Sequence, residues 1–248
     1  MYAKPLFEIT LYEIFFVGGL LAALYILAAY TSKKKMPGAV QNFYINLTVA
    51  AMAAGYLSAF LFQAIYNFFD YGVFEFKGLT FLGGLIGGAG AFLLGYKLFA
   101  EEKKRQYFPM VREVAPCAIL LGHGLGRIGC FFAGCCHGIE TESFLGVYFP
   151  VHLAKMYPTQ LFEAAFLFIM FGVTSYLFFK EKKINLIVYL FSYGAFRFFI
   201  EFLRGDDSRG KFIISFLSPS QTWSILMVIV GGVLLYFYLK SKGEQRGP

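Results

Sequence analysis

Seven stretches of about twenty mainly apolar residues alternate along the chain with short polar connectors, and each is long enough to cross a bilayer as a helix. They lie near residues 9–30, 40–69, 79–100, 114–134, 158–179, 184–203 and 221–239. This pattern predicts an all-α integral membrane protein of about seven transmembrane helices, folded as a single polytopic domain over residues 1–248. The connectors differ sharply in charge. Lys33, Lys34 and Lys35 fill the first, Lys103, Lys104, Arg105 and Arg112 the third, Lys180, Lys182 and Lys183 the fifth, and Lys240, Lys242 and Arg246 the tail. The opposite side carries only Lys4, Lys77, Lys155, Arg209 and Lys211, diluted by Asp70, Glu75, Glu140, Glu142, Asp206 and Asp207. Thirteen basic residues against five put the odd connectors and the C-terminus in the cytoplasm and the N-terminus outside.

Composition agrees and narrows the function. Hydrophobic residues make up 58% of the 248 and mean hydropathy is +0.62, above the roughly 45–50% apolar share of soluble domains. The +7 net charge is no nucleic-acid signal, because the basic residues occupy short loops rather than one stripe. Four cysteines in a chain this long make no disulfide scaffold. The N-terminus lacks the pattern of a cleaved signal peptide, since Lys4 alone precedes a run too long for an h-region.

The chemistry gathers at the end of the fourth apolar run, Gly122-His123-Gly124-Leu125-Gly126-Arg127-Ile128-Gly129-Cys130-Phe131-Phe132-Ala133-Gly134-Cys135-Cys136-His137-Gly138. A lone arginine at a membrane helix centre costs roughly 3 kcal/mol on insertion scales, and small residues let a backbone or ligand approach. A buried cation ringed by glycines suggests an anion held inside the membrane. Arg127 lies eight residues before Cys135, roughly 12 Å below the outer surface. Arg197 lies seven residues before Arg204 in the sixth run, about 10 Å down. Arg197, Glu201 and Arg204 stand at i, i+4 and i+7 on one helix face, where one glutamate shared by two arginines leaves a positive excess. Pro158 and Thr159 suit a helix start, which sets Glu163 one turn inside the fifth run in the same layer. His123 lies one turn deeper than Arg127 and is expected to be a packed or hydrogen-bonded core residue.

These segments resemble the prolipoprotein diacylglyceryl transferase family. Its signature G-R-x-G-N-F-x-N-G-E-x-x-G is matched by Gly126, Arg127, Gly129, Gly134 and Gly138, with Cys130 and Ala133 at the asparagines and Cys135 at the glutamate. Tyr193-Gly194 through Arg197, Glu201 and Arg204 is similar to the family's Y-G-x-x-R-x-x-x-E-x-x-R, and Pro158-Thr159-Gln160-Leu161-Phe162-Glu163 to its H-P-S-Q-L-Y-E, with Tyr157 for the histidine. Thr80-Phe81-Leu82-Gly83-Gly84-Leu85-Ile86-Gly87 looks like its S-F-H-G-G-L-I-G, but Leu82 replaces the histidine presumed catalytic. Residues 217–224 resemble the start of its last helix, and Tyr12 occupies the place of a functional tyrosine.

The resemblance implies a bacterial plasma (inner) membrane transferase with a glycine-lined cavity open to the outer leaflet. It would move diacylglyceryl from an anionic phospholipid such as phosphatidylglycerol to an exported acceptor, a lipoprotein-precursor cysteine or another thiol. Arg127 and Arg197 would hold the phosphate, whose developing charge needs preorganised cations. Arg204 and Glu201 would position them, and Glu163, Tyr12 and Gln160 would orient the head group. Gly83, Gly84, Gly126, Gly129, Cys130, Gly134 and Gly138 would line the site. With Leu82 apolar, the thiol's base is expected to be His137 or Cys135, making the catalytic set Arg127, Arg197, His137 and Cys135. For Cys130, Cys135 and Cys136, simple packing, a disulfide, zinc with His137 and an activated thiol stay open. No metal, cofactor or nucleic-acid partner is expected, and the protein is expected to be monomeric. The alternatives are a family relative with another acceptor or head group, and a non-catalytic phospholipid-binding protein.

Overall fold

A computed structural model describes residues 10–76, 81–205 and 217–244, with no side-chain placement for 69–71, 81–82 and 243–244. Lys4, Lys77, Thr80, Asp206, Asp207, Arg209 and Lys211 lie outside the described residues. Eight helices appear among those described: α1 (Leu11–Lys33), α2 (Gly38–Tyr71), α3 (Phe81–Phe99), α4 (Glu102–Arg105), α5 (Phe108–Ala133), α6 (Thr159–Phe179), α7 (Asn185–Ile200) and α8 (Pro219–Glu244). All except the short α4 and the α3 stretch Gly83–Phe99 are long and apolar enough to cross a membrane, so six of the seven expected spans meet that length. Their outward faces carry Leu21, Ile169 and Phe199, each more than 60% exposed, as lipid-facing residues must be. The protein is a multi-pass membrane protein.

The chain forms two compact units, Met1–Ile26 with Arg112–Pro248, and Leu27–Val111. In the second unit α2 and α3 pack through glycines: a Cβ at Gly55 would lie 2.8 Å from the Gly84 carbonyl. A Cβ at Gly83 would meet the Phe62 side chain and the Ser58 carbonyl. Gly83 and Gly84 are thus used in a helix contact. The first unit holds the other candidate residues. There α1 crosses α5 so closely that a Cβ on Gly19 would sit 2.6 Å from the Gly122 carbonyl.

Capping boxes start two of its helices. Thr10 and Glu13 exchange bonds at α1, with the Thr10 N–H donating to Glu13 at 2.7 Å, and this sets the start from which Tyr12 projects. At α8 the Ser218 N–H donates to Gln221 at 2.9 Å and the Gln221 N–H donates back to Ser218 at 3.1 Å, with Pro219 at the first helical position.

A small extended layer joins the ends of α5, α6 and α7. Strands β1 (Val147–Phe149) and β2 (Ala154–Met156) form an antiparallel hairpin. Gly138 bridges Arg204 and Glu140 bridges Met156. The Gly138 N–H donates to Tyr157 and the Ile139 N–H to Leu203, so the segment after α5 is tied to both neighbouring helices. A Cβ on Gly138 would fall 2.6 Å from the Leu203 carbonyl, which accounts for that glycine as a packing requirement.

At the other end of α5, Asn185 closes a buried network. Its Nδ2 donates to the carbonyls of Glu113 and Thr174, both at 2.9 Å, and its N–H donates to the Glu113 carboxylate at 2.8 Å. One fully buried side chain therefore ties α5, α6 and α7. Asn185→Ala strands two carbonyls away from water and is expected to cost about 2 kcal/mol, or roughly 4–8 °C in thermal stability for a chain this size. Thermal unfolding of the purified variant in detergent measures it; an unchanged midpoint would show that the network contributes nothing.

Candidate active site

Two ion pairs form the centre of the first unit. On α6, Glu163 is 2% exposed and receives three groups from two neighbouring helices. Arg127 of α5 approaches through Nε at 3.0 Å, His123 of α5 through Nε2 at 3.7 Å, and the Tyr193 hydroxyl of α7 donates at 2.8 Å. Arg197 of α7 pairs with Glu201 at 2.8 Å and donates from Nη2 to the Ser220 hydroxyl at 2.8 Å. The capping box of α8 presents that hydroxyl. Arg127 and Arg197 are thus paired with different carboxylates. A buried charge is tolerated only when paired in this way.

The pairing also orients the guanidinium of Arg127. Among the described residues it is held by Nε alone, and both terminal nitrogens remain as a fork of the kind that grips two phosphate oxygens. Gly126 beside it is the signature glycine with nothing within 4 Å of its Cβ position. Gly129 instead packs on Tyr12 and Phe15 of α1, with the Tyr12 carbonyl 3.2 Å from the Cβ position, so Tyr12 meets α5 one turn beyond Arg127's neighbour.

α5 ends in a Schellman cap. Gly134 lies at φ 71°; its N–H donates to Phe131 and that of Cys135 to Cys130. This geometry lays the sixth residue of the motif over the first, so Cys135 returns onto Cys130. Cys136 follows at φ 62°, a left-handed conformation that costs a non-glycine residue about 1 kcal/mol or more. The first turn of α6 holds it: Thr159 donates to the Cys136 carbonyl at 2.8 Å, and Gln160 donates to that of Cys135. The three Sγ atoms come within 4.8 Å of one another. No disulfide joins them. Hydrogen bonds from Cys130 and Cys135, with Arg204 and Arg127 adding to them, hold the Cys136 thiol well below its usual range, while the bonds to Cys130 and Cys136 push Cys135 up.

His137 is buried beyond the cap, its Nδ1 2.9 Å from the Gly138 carbonyl and its ring 4.1 Å from that of His152. A ring nitrogen facing a carbonyl carries the proton, which leaves Nε2 of His137 as the basic nitrogen. His152 Nε2 in turn faces the Gly134 carbonyl at 3.1 Å. His123, expected as a packed or hydrogen-bonded core residue, and Tyr193, named only as part of the matched motif, both face Glu163; each stands four residues before an arginine on the same helix face. A groove of about 300 Å³ lies between α7 and α8, lined by Gly194, Phe198, Ser224 and Val228 among others.

If Glu163 exists to neutralise Arg127, Glu163→Gln should destabilise the protein by about 3 kcal/mol, because it leaves a buried charge unpaired. Adding Arg127→Gln should then restore at least about 1 kcal/mol, a coupling read from a double-mutant cycle of thermal unfolding. Additive losses would show that the two side chains act independently.

Comparison with known proteins places these residues in a family. The profile described as prolipoprotein diacylglyceryl transferase matches residues 2–237. A Clostridium perfringens protein named phosphatidylglycerol–prolipoprotein diacylglyceryl transferase 2 is 38% identical over 180 residues, 68% of this chain and 65% of the relative. The Clostridium tetani protein of the same enzyme name is 31% identical over 252 residues, 92% and 95% of the two chains. That of Francisella tularensis subsp. novicida is 36% identical over 163 residues, 64% and 59%. The match therefore spans just under two thirds of the C. perfringens relative and nearly all of the C. tetani one.

Proposed function

The chain belongs to the prolipoprotein diacylglyceryl transferase family, and we propose that it transfers the diacylglyceryl group of phosphatidylglycerol to a cysteine thiol of an exported lipoprotein precursor. The observation that carries this reading is the pair of intramembrane arginines, each facing a different carboxylate, with the terminal nitrogens of Arg127 unpartnered among the described residues. Arg127 and Arg197 take the lipid phosphate, and Glu163, Glu201, Tyr193 and Ser220 fix their guanidinium planes. Arg204 and Gln160 close the head-group end, and Tyr12 flanks α5 beside it. The apolar groove between α7 and α8 suits an acyl chain entering from the bilayer. The acceptor sulfur attacks the glyceryl carbon that bears the phosphate. A C–S bond forms, the C–O bond breaks, and its electron pair leaves on a phosphate oxygen facing the arginines.

The acceptor thiol must lose its proton, because an unperturbed thiol near pKa 8.5 is mostly protonated at neutral pH. Of the residues expected to bring this about, His137 is committed on one side to the Gly138 carbonyl, whereas Cys130 lies one turn from Arg127 and Cys135 and Cys136 converge on it. The geometry favours the thiols. A second reading has one observation in its favour: Leu82 stands where the family carries its histidine, as it would in a protein that binds the lipid without chemistry. The protein acts as a monomer and one polytopic domain in the bacterial inner membrane, with its N-terminus outside and its C-terminus in the cytoplasm.

Labelled lipid and an acceptor peptide, incubated with the purified protein, test the reaction. Arg197→Ala and Arg127→Ala should each lower turnover by at least about a hundredfold, and Arg127→Lys should fail similarly, since lysine has no planar fork. Near-normal turnover of Arg127→Lys removes the two-point grip. Wild type that retains phospholipid but transfers nothing makes the binding protein the right reading.

Orientation has its own test. In a cysteine-free background, Phe144→Cys, at a position 91% exposed in the hairpin layer, should react with a membrane-impermeant maleimide on intact spheroplasts. Lys182→Cys should react only after permeabilisation. The opposite pattern inverts the topology and moves the arginines to the inner leaflet.

A further inference from the structure

The three thiols at the end of α5 are arranged more tightly than packing requires. Their Sγ atoms lie within 4.8 Å of one another, and sulfurs that share one zinc ion at about 2.3 Å stand roughly 3.8–4.0 Å apart, so small rotamer changes suffice to enclose an ion. The backbone that presents them is fixed at both ends. The Schellman cap sets Cys135 over Cys130, and the side chains of Thr159 and Gln160, both under 3% exposed, hold the carbonyls of Cys136 and Cys135. Such support of the ligand backbone is the usual companion of a metal centre. Cys136 keeps a left-handed φ of 62°, as strained residues at functional sites do. The donor set is all sulfur, since among the described residues no histidine or carboxylate joins the group; that selects a soft, filled-shell cation over magnesium or calcium. Three protein ligands leave one position of a tetrahedral ion vacant, the pattern of a zinc site that takes substrate. Cys135 is exposed, so the vacant position faces outward.

We propose that Cys130, Cys135 and Cys136 bind one Zn(II) ion, and that the acceptor cysteine of the transfer reaction supplies the fourth sulfur. This rests on the proposed function for the identity of the acceptor, while the ion site itself does not. Coordination replaces the proton on the acceptor sulfur, and that proton passes to water. The bound thiolate attacks the glyceryl carbon, the C–S bond forms, and the C–O bond breaks with its electrons on the phosphate oxygen. The neutral thioether, a poor ligand, then leaves the zinc. No histidine base is required, which fits Leu82. Arg127 is one helical turn from Cys130, so phosphate and nucleophile sit side by side.

Metal analysis of the full-length protein, purified in detergent under reducing conditions and loaded with Zn(II), should give one ion per chain. Cys135→Ser, at an exposed position, and Cys130→Ser should each lower occupancy at least fivefold; two sites guard against a variant that fails to fold. In the Cd(II)-loaded protein, a peptide with the acceptor cysteine should raise the sulfur-to-metal charge-transfer absorption by roughly a third, in line with a fourth thiolate, while its serine counterpart should not. Chelation should lower transfer at least about tenfold, with recovery on Zn(II) return. Less than a tenth of an ion per chain, occupancy by Cu(I) alone, a disulfide among the three cysteines, or full transfer after chelation overturns the inference and leaves the transferase standing. One ion per chain and a peptide-dependent signal without lipid transfer supports the site and removes the proposed function instead.

Discussion

A guanidinium below a membrane surface cannot wait for water to solvate it, so its carboxylate has to be delivered by another helix. Glu163 meets that constraint for Arg127, and much of the first unit follows from it. One carboxylate pairs with Arg127, accepts from the Tyr193 hydroxyl and lies beside His123, so α5, α6 and α7 are fixed in rotation about a single point. The Asn185 network does the same for these helices near the start of α5 and α7. Between two such polar pins the contact is apolar, with Leu120 and Leu167 fully buried. Pairs of this kind contribute little net stability compared with apolar side chains of equal volume. Their consequence is register, and it is register that aims the terminal nitrogens of Arg127.

The helical architecture was legible because bilayer thickness imposes a length that apolar runs reveal directly. The boundaries shifted where polar residues were satisfied inside the protein: α5 begins at Phe108, six residues before the apolar run, because Glu113 finds Asn185. α3 is the weakest case, with a described apolar stretch of only Gly83–Phe99. The two arginines, Glu163 and Glu201 were legible as intramembrane charges, since each must have a reason to be there. Which carboxylate served which arginine was not, because that choice belongs to helix rotation and crossing. The positions of His123 and Tyr193, each i−4 to an arginine, held the missing information, but a histidine or tyrosine in an apolar run is read first as core.

The glycines show the same limit from the other direction. Six in seventeen residues suggested one lined cavity, yet they do different jobs. Gly122 admits α1, Gly129 admits the Tyr12 backbone, Gly134 takes the left-handed turn, and Gly138 lies under Leu203. Of the six, only Gly126 has no described residue within 4 Å of its Cβ position. Small size permits approach without saying what approaches. The thiols show a related limit: on an extended chain the side chains of adjacent cysteines diverge. After a Schellman cap with a left-handed residue they converge. The five-residue spacing of Cys130 and Cys135, with glycine before the second, is the sequence trace of that turn.

The two proposed roles fall on consecutive turns of one helix. Arg127 and Cys130 are three residues apart, so the distance between the proposed phosphate grip and the proposed nucleophile site is set by helical geometry and hardly at all by tertiary packing. A reaction that forms a C–S bond while releasing a phosphate needs that distance held to a fraction of an ångström. Placing the anion site and the sulfur site on separate helices would leave it to the soft modes of a bundle in lipid. A single helix holds it stiffly, and the cap that ends the helix then turns the remaining sulfurs back to the same point. On this reading the exchange of asparagine and glutamate for cysteine retains the position of the family's site and changes the means by which the acceptor is activated there.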